Sequence, residues 1–439
     1  MGYDSRWNST DQVPRRAIES GLIPRFGFVD DDLGGDTHRY SLSGQLWRDK
    51  TRFSAYAVDY KLNLFSNFTY FLDNPVQGDE FEQADRRRVY GFHVRHDLGG
   101  GENSKNTLGL QGRYDDIKNV ALYSTQDRER FDTTRSDRVK QFSAAPYFQN
   151  ETRWNPNLRS ILGARFDFYR FDVNSSIAKN SGKNSDSIFS PKLSLAYKNA
   201  PSDEIYASLG RGFHSNDARG TTISLDPKTL EPASKVTPLV RTNFAELGWR
   251  RAKNDLQTTV ALWGLRSQSE LLFIGDAGTT EASRPSQRVG IEITNYWTPR
   301  PHLSLDADFA FSRARFRNSA PEGNRIPGAI EGVFSVGAAY DPPQGWGGAL
   351  RLRYFGPRPL IEDNSVRSSS SALVNGRASY RFKNDVRLSL EAFNLLNSRA
   401  SDIDYFYESQ LPGESAPVAD IHTHPAEKRS FRLVLSRQF

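Results

Sequence analysis

The densest run of potentially reactive side chains is Gly210-Arg-Gly-Phe-His-Ser-Asn-Asp-Ala-Arg219. Two guanidiniums (Arg211, Arg219), an imidazole (His214), an amide (Asn216) and a carboxylate (Asp217) fall within one strand-to-loop passage. These five are the candidate ligand contacts. The same residues also read as a glycine-assisted strand end with an internal hydrogen-bond network. The charge run Asp85-Arg86-Arg87-Arg88 has a similar pair of readings: attraction of anionic ligands, or a solvated strand end. His93 and His96 are three apart on a strand pattern, hence on opposite faces and poorly placed for one metal. His422 and His424 could share a face, but zinc or haem needs more ligands nearby, and loop solvation is the expected state. There is no Gly-x-Ser-x-Gly elbow, no Gly-rich phosphate loop and no cysteine. The expectation is a protein that is not an enzyme and carries no cofactor or metal.

The elements that must position these residues are strands. The chain closes on Arg429-Ser-Phe-Arg-Leu-Val-Leu-Ser-Arg-Gln-Phe439. Phe431, Leu433, Leu435 and Phe439 share one face at a period of two; Arg432, Ser436 and Gln438 share the other. The same alternation recurs upstream. Leu162, Ala164, Phe166 and Phe168 oppose Gly163, Arg165 and Asp167. Leu303, Leu305, Ala307, Phe309 and Phe311 oppose Ser304, Asp306, Asp308, Ala310 and Ser312; Val386, Leu388, Leu390 and Ala392 oppose Arg387, Ser389 and Glu391. Short turns such as Asp49-Lys50-Thr51, Asn155-Pro156-Asn157 and Ala252-Lys253-Asn254 alternate with long polar connections, among them 115–137, 173–187 and 214–237. This gives about seventeen strands in an antiparallel transmembrane β-barrel, with short turns at one end and long loops at the other. A charged inner face suits a wide, watery lumen, whereas a small soluble barrel fills its inside with apolar side chains.

Residues 1–37 read as a long loop, and the barrel as 38–439. Aromatics cluster at strand–loop boundaries, including Phe65, Phe68, Tyr70, Phe71, Tyr405, Phe406 and Tyr407, and suggest an interfacial girdle or ligand stacking. The net charge of +6 comes from 58 basic and 52 acidic residues mixed along the chain, so no nucleic-acid footprint is present. No apolar run is long enough for a spanning helix. Met1-Gly-Tyr-Asp-Ser-Arg-Trp7 is not a signal peptide, and the expectation is the downstream part of something longer.

Several segments resemble TonB-dependent outer-membrane receptors. They include Leu64-Phe-Ser-Asn-Phe-Thr-Tyr-Phe-Leu72, Phe189-Ser-Pro-Lys-Leu-Ser-Leu-Ala-Tyr197, Gly210 to Gly220, Glu246-Leu-Gly-Trp249, Arg325-Ile-Pro-Gly328, Phe393-Asn-Leu-Leu-Asn397 and His422-Thr-His-Pro425. The resemblance implies a barrel of about 22 strands in the bacterial outer membrane, plugged in the intact receptor. It also implies a small-molecule ligand and energising by TonB through the plug. This sequence matches only the carboxy-terminal barrel portion, without plug or leading strands. The resemblance implies outer-membrane lipid and the barrel-assembly machinery as further partners. The implied parent takes up a scarce nutrient: a ferric siderophore, cobalamin or an oligosaccharide. A passive porin or a non-transporting receptor remnant is the other reading.

Overall fold

A computed structural model describes residues 1–9, 11–274 and 279–437. The chain opens with β1 (Gly2–Asn8), the two-residue β2 (Val13–Pro14) and helix α1 (Arg15–Glu19). The wall continues through β3 (Gly34–Arg48), β4 (Thr51–Ser66), β5 (Phe81–Gly99), β6 (Ser104–Gln126), β7 (Glu129–Arg153), β8 (Leu158–Ser175), β9 (Gly182–Ala200) and β10 (Asp203–Ser215). Helix α2 (Ala218–Thr222) leads to β11 (Leu239–Lys253) and β12 (Leu256–Ser267). A loop hairpin of β13 (Leu271–Ile274) and β14 (Thr279–Ala282) precedes β15 (Ser286–Arg300), β16 (Leu303–Phe316), β17 (Gly332–Tyr340), β18 (Gly345–Phe355), β19 (Ser371–Arg381) and β20 (Val386–Phe393). A second loop hairpin, β21 (Ser401–Ser409) and β22 (Val418–Pro425), stands before the last strand, β23 (Ser430–Arg437).

Eighteen of these strands form one antiparallel sheet. Each wall strand pairs with its neighbours in chain order, from β1 on β3 to β20 on β23. Two-residue turns at 49–50 and 254–255 and a four-residue turn at 382–385 lie at one end, where Asp49, Asn254 and Asp385 adopt positive φ of 52°, 52° and 59°. Such turns favour Asn and Asp, which tolerate the left-handed region.

The apolar faces point outward. Phe431, Leu433 and Leu435 are 62%, 70% and 72% exposed, and Leu388 and Leu390 are also exposed. On the opposite face of the same strands, Arg432 Nε donates to Glu391 Oε2 at 2.8 Å. An exposed apolar band around a polar interior is what hydrocarbon contact demands. Among the described residues, packed apolar clusters are small, and each draws on the long-loop end: Val13, Ala17, Ile23, Tyr70 and Leu411; Ile117, Val139, Phe171, Val173 and Ala218; Ala314, Phe316 and Ile326. Inside the wall, tyrosine rings lie across glycines. A Cβ built on Gly109 would sit 2.1 Å from the Tyr147 ring, and one on Gly248 2.2 Å from that of Tyr206.

Three expectations need correction. Residues 1–37 are not wholly loop, because Gly2–Asn8 pairs with residues 34–40 as a strand. The wall therefore has an even strand count, and β1 and β23 run in opposite directions; no register joins these two among the described residues. The connections expected at 115–137 and 173–187 are largely strand. β6 and β7 run on to a two-residue turn in which Asp127 and Arg128 both have positive φ, of 53° and 61°, and β8 and β9 approach each other around residues 176–181. Beyond the bilayer both faces of a strand are wet, so the apolar alternation that marks a strand disappears there. Phe439, assigned to the closing strand, lies outside the described residues.

Candidate functional site: a charged lumen and a folded mouth

Four wall strands carry an Arg and an Asp two positions apart, which puts both on one face. All four pairs face inward. Arg87 pairs with Asp85, its Nε donating at 2.8 Å. Arg113 donates twice to Asp115 at 2.8 Å. Arg135 Nε donates to Asp137 at 2.7 Å. Arg165 binds Asp167 at 2.8 Å and also donates to Gln111 Oε1 at 2.6 Å. Arg135 and Asp137 are each only 1% exposed. A buried ion pair leaves no uncompensated charge when each cation has its own anion, and that holds for all four pairs.

The loop after β10 brings a fifth pair to this surface. Asp217 caps α2 and accepts from the Arg219 backbone N–H at 2.8 Å. The Arg219 guanidinium donates to the same carboxylate at 2.7 and 3.1 Å. Burial alone would raise the Asp217 pKa; Arg219 outweighs it and, with Arg135, holds the group at about 2. Arg219 in turn feels Asp137 and Asp85. Asp85 and Asp137 flank the same wall residue, Val120, in the registers of β5 and β7 on β6. A cavity of about 360 Å³ remains between the loop and the wall, lined by Gln83, Asp85, Arg87, Gln141, Asp217 and Arg219 among others.

The five candidate contacts therefore separate. Asp217 and Arg219 join the inner cluster. Asn216 is buried and ties down the loop, its Nδ2 donating to Thr237 O at 2.6 Å. His214 sits at the loop base with its Nε2 buried and unbonded. Arg211 does not face the lumen: in register it lies opposite Asn243, to which it donates at 3.3 Å, on the face of exposed Leu209 and Leu247. The wall pairs of β6 to β8 were missed by sequence reasoning. The recurring Arg-x-Asp spacing was the available signal. The run 85–88 is split by the pleat, with Asp85 and Arg87 inside and Arg86 and Arg88 exposed.

The long-loop end is folded rather than open. β2 pairs with β22, which pairs with β21, and α1 lies against them. Arg16 fixes this assembly: its side chain donates to Glu414 at 2.8 and 2.9 Å and to Ser409 O at 2.9 Å, and its backbone N–H donates to Asp420 at 2.9 Å. His422 is not a solvated loop residue. It is fully buried, bonded to Ser409 Oγ at 2.8 Å and stacked on Tyr407 with centroids 3.7 Å apart. Burial pushes its pKa down to about 4. His93 and His96 do diverge as expected, to Tyr147 and Thr51. Tyr70 is no girdle residue either, being 2% exposed among Val13, Ala17 and Leu411. Asp11 accepts from the Asn67 backbone N–H at 3.1 Å, and burial raises its pKa to about 6. A second cavity, of about 720 Å³, opens beside this assembly; its lining includes Arg15, Arg25, Arg399 and Lys428 against Glu19.

The outward apolar wall, inward charge pairs and folded loop end define a barrel of the bacterial outer membrane whose mouth is occupied by its own chain. Residues 2–395 match the family described as TonB dependent receptor-like, beta-barrel, and the chain belongs to that family. Solved structures agree in fold. The unliganded ferric citrate transporter FecA superposes with a TM-score of 0.75 at 18% identity, covering 100% of this chain and 66% of that one. The ferric yersiniabactin uptake receptor FyuA from Yersinia pestis gives 0.64 at 18%, covering 90% and 61%. The ferric-catecholate import receptor Fiu from E. coli K12 gives 0.71 at 12%, covering 100% and 71%. The chain thus spans about two thirds of the length of these receptors.

Proposed function

We propose that this barrel serves the uptake of an anionic ferric chelate, by ligand capture at the mouth and passage through the charge-paired lumen. The observation that carries this reading is the 720 Å³ cavity with four cationic side chains and one carboxylate. Arg15 is engaged by Asp404 at 3.4 Å and Arg25 by Ala400 O at 2.6 Å, while Lys428 lies 4.8 Å from the Phe26 ring centroid. Arg399 and Lys428 make no carboxylate pair among the described residues and remain for a ligand carboxylate or catecholate oxygen. The ferric ligands named for the three similar receptors support this substrate class over cobalamin or an oligosaccharide. Energised release would need TonB acting through a plug, and assembly would need the barrel-assembly machinery. The protein is proposed to bind and pass its ligand without chemical change.

Trp fluorescence of the detergent-purified chain, titrated with ferric citrate and with a ferric catecholate, tests the reading. Saturable quenching that weakens at least about tenfold in Arg399→Gln/Lys428→Gln supports it. Equal binding of wild type and variant overturns it. A passive pore is the alternative, and unselective swelling of proteoliposomes in large sugars would favour that.

A further inference from the structure

The outward face of β5 to β9 changes character abruptly toward the loop end. Its apolar band finishes in a row of exposed aromatics, Tyr90, Tyr114, Phe142, Phe168 and Phe189. One to three outward positions further along each strand, about 7 to 20 Å on, the face becomes cationic. Arg86, Arg88, Lys118, Arg138, Lys140, Arg170 and Lys183 are all exposed there. Three of the seven have an acidic partner: Arg88 binds Asp59 at 3.2 Å, Lys118 binds Asp116 at 2.6 Å and Lys183 binds Asp172 at 3.3 Å. Arg86, Arg138, Lys140 and Arg170 have none among the described residues. The surface is also concave. The register of β6 on β7 slips between Ile117 and Val120. A cavity of about 500 Å³ opens there, lined by Lys118, Arg138 and Lys140 with Asp116, Asp172, Asn174, Ile117 and Val139.

We infer that this face is a binding site for an outer-leaflet lipid with a phosphorylated headgroup. The phosphates would be held by Lys118, Arg138, Lys140 and Arg170, and the acyl chains would lie along the aromatic row below. Charge complementarity and continuity with the hydrocarbon-facing band favour this occupant. A soluble acidic protein would gain nothing from the apolar half of the surface. The inward pairs are self-neutralising, whereas this patch keeps unpaired cations at the depth of a headgroup. The inference rests on the membrane orientation of the barrel and is independent of which ligand it transports.

Native mass spectrometry of the full chain in detergent tests it, with bisphosphorylated lipid A and the same lipid stripped of phosphate as probes. Wild type should retain one bisphosphorylated lipid and little of the stripped one. Arg138→Gln/Lys140→Gln/Arg170→Gln should bind about a hundredfold more weakly, while Arg138→Lys/Arg170→Lys stays near wild type. Heat-shifted gel migration reports folding; if the triple variant does not fold, Arg138→Gln alone should weaken binding about fivefold. Equal retention of both lipids, or unchanged binding in the folded variants, overturns the proposal. Displacement by inorganic phosphate or an acidic peptide at the lipid's own concentration overturns it as well, in favour of a free anion or a protein partner.

Discussion

Asp217 and Arg219 close on each other at the start of the loop that follows β10: one carboxylate accepts the backbone N–H and the guanidinium of a residue two positions on. The pair lets a charged loop enter an already charged lumen without adding net charge. Asp217→Asn should leave Arg219 buried without its anion, loosening residues 216–238 and raising their protease sensitivity. The expected cost is on the order of 3 kcal/mol. Because the folded pKa of about 2 lies below the unfolded value near 3.9, this stabilisation is complete above pH 4 and is lost as pH falls toward 2. Limited proteolysis across pH 2–7 would show it. A flat profile would mean that the pair does not anchor the loop.

Asp11 has the opposite sign. Its pKa is raised to about 6, so its contribution is fully present below about pH 3.9 and is lost as pH rises through 6. The Asn67 amide should exchange faster at pH 7.5 than at pH 5 after correction for intrinsic rates. Asp11→Asn, which keeps an acceptor but cannot ionise, should flatten that difference.

His422 is buried neutral. Its stabilisation is present above the unfolded pKa near 6.5 and declines as pH falls through about 4. The β21–β22 hairpin should loosen in acid, and His422→Gln should remove the acid limb. Hydrogen exchange in residues 401–425 is the measurement; an acid limb that survives the substitution would place its origin elsewhere.

Gly109→Val should expel the Tyr147 ring and break its 2.8 Å hydrogen bond to His93. Overpacking of this kind costs about 1–3 kcal/mol. A lower midpoint for loss of heat-shifted migration is expected, whereas Gly44→Val, where nothing lies within 4 Å of the added Cβ, should be far milder.

Leu433→Arg would put a charge on the hydrocarbon face, while Ser436→Arg would add one on the opposite face of the same strand. The first should cost about 2–4 kcal/mol of stability in lipid vesicles and the second much less. Equal effects would contradict the assignment of faces.

Period-two alternation in segments such as 386–392 and 429–437 was enough to assign wall strands and say which side meets lipid, because pleating fixes side-chain direction locally. Turn chemistry at Asp49, Asn254 and Asp385 likewise marked the short end. Other features depended on contacts between distant residues. Pairing of Gly2–Asn8 with residues 34–40 could not be read from a polar stretch, nor could the continuation of β6 and β7 beyond the bilayer, where water on both faces erases the pattern. Burial of His422 and Tyr70 arose only when the amino-terminal segment met the hairpin of residues 401–425, nearly 400 positions away in sequence. Spacing along one strand does encode which carboxylate each lumen arginine meets, since the partners are two positions apart and share a face. Which of those pairs come to lie beside one another, and beside Asp217 and Arg219, depends on the register between strands and was decided only by the tertiary structure.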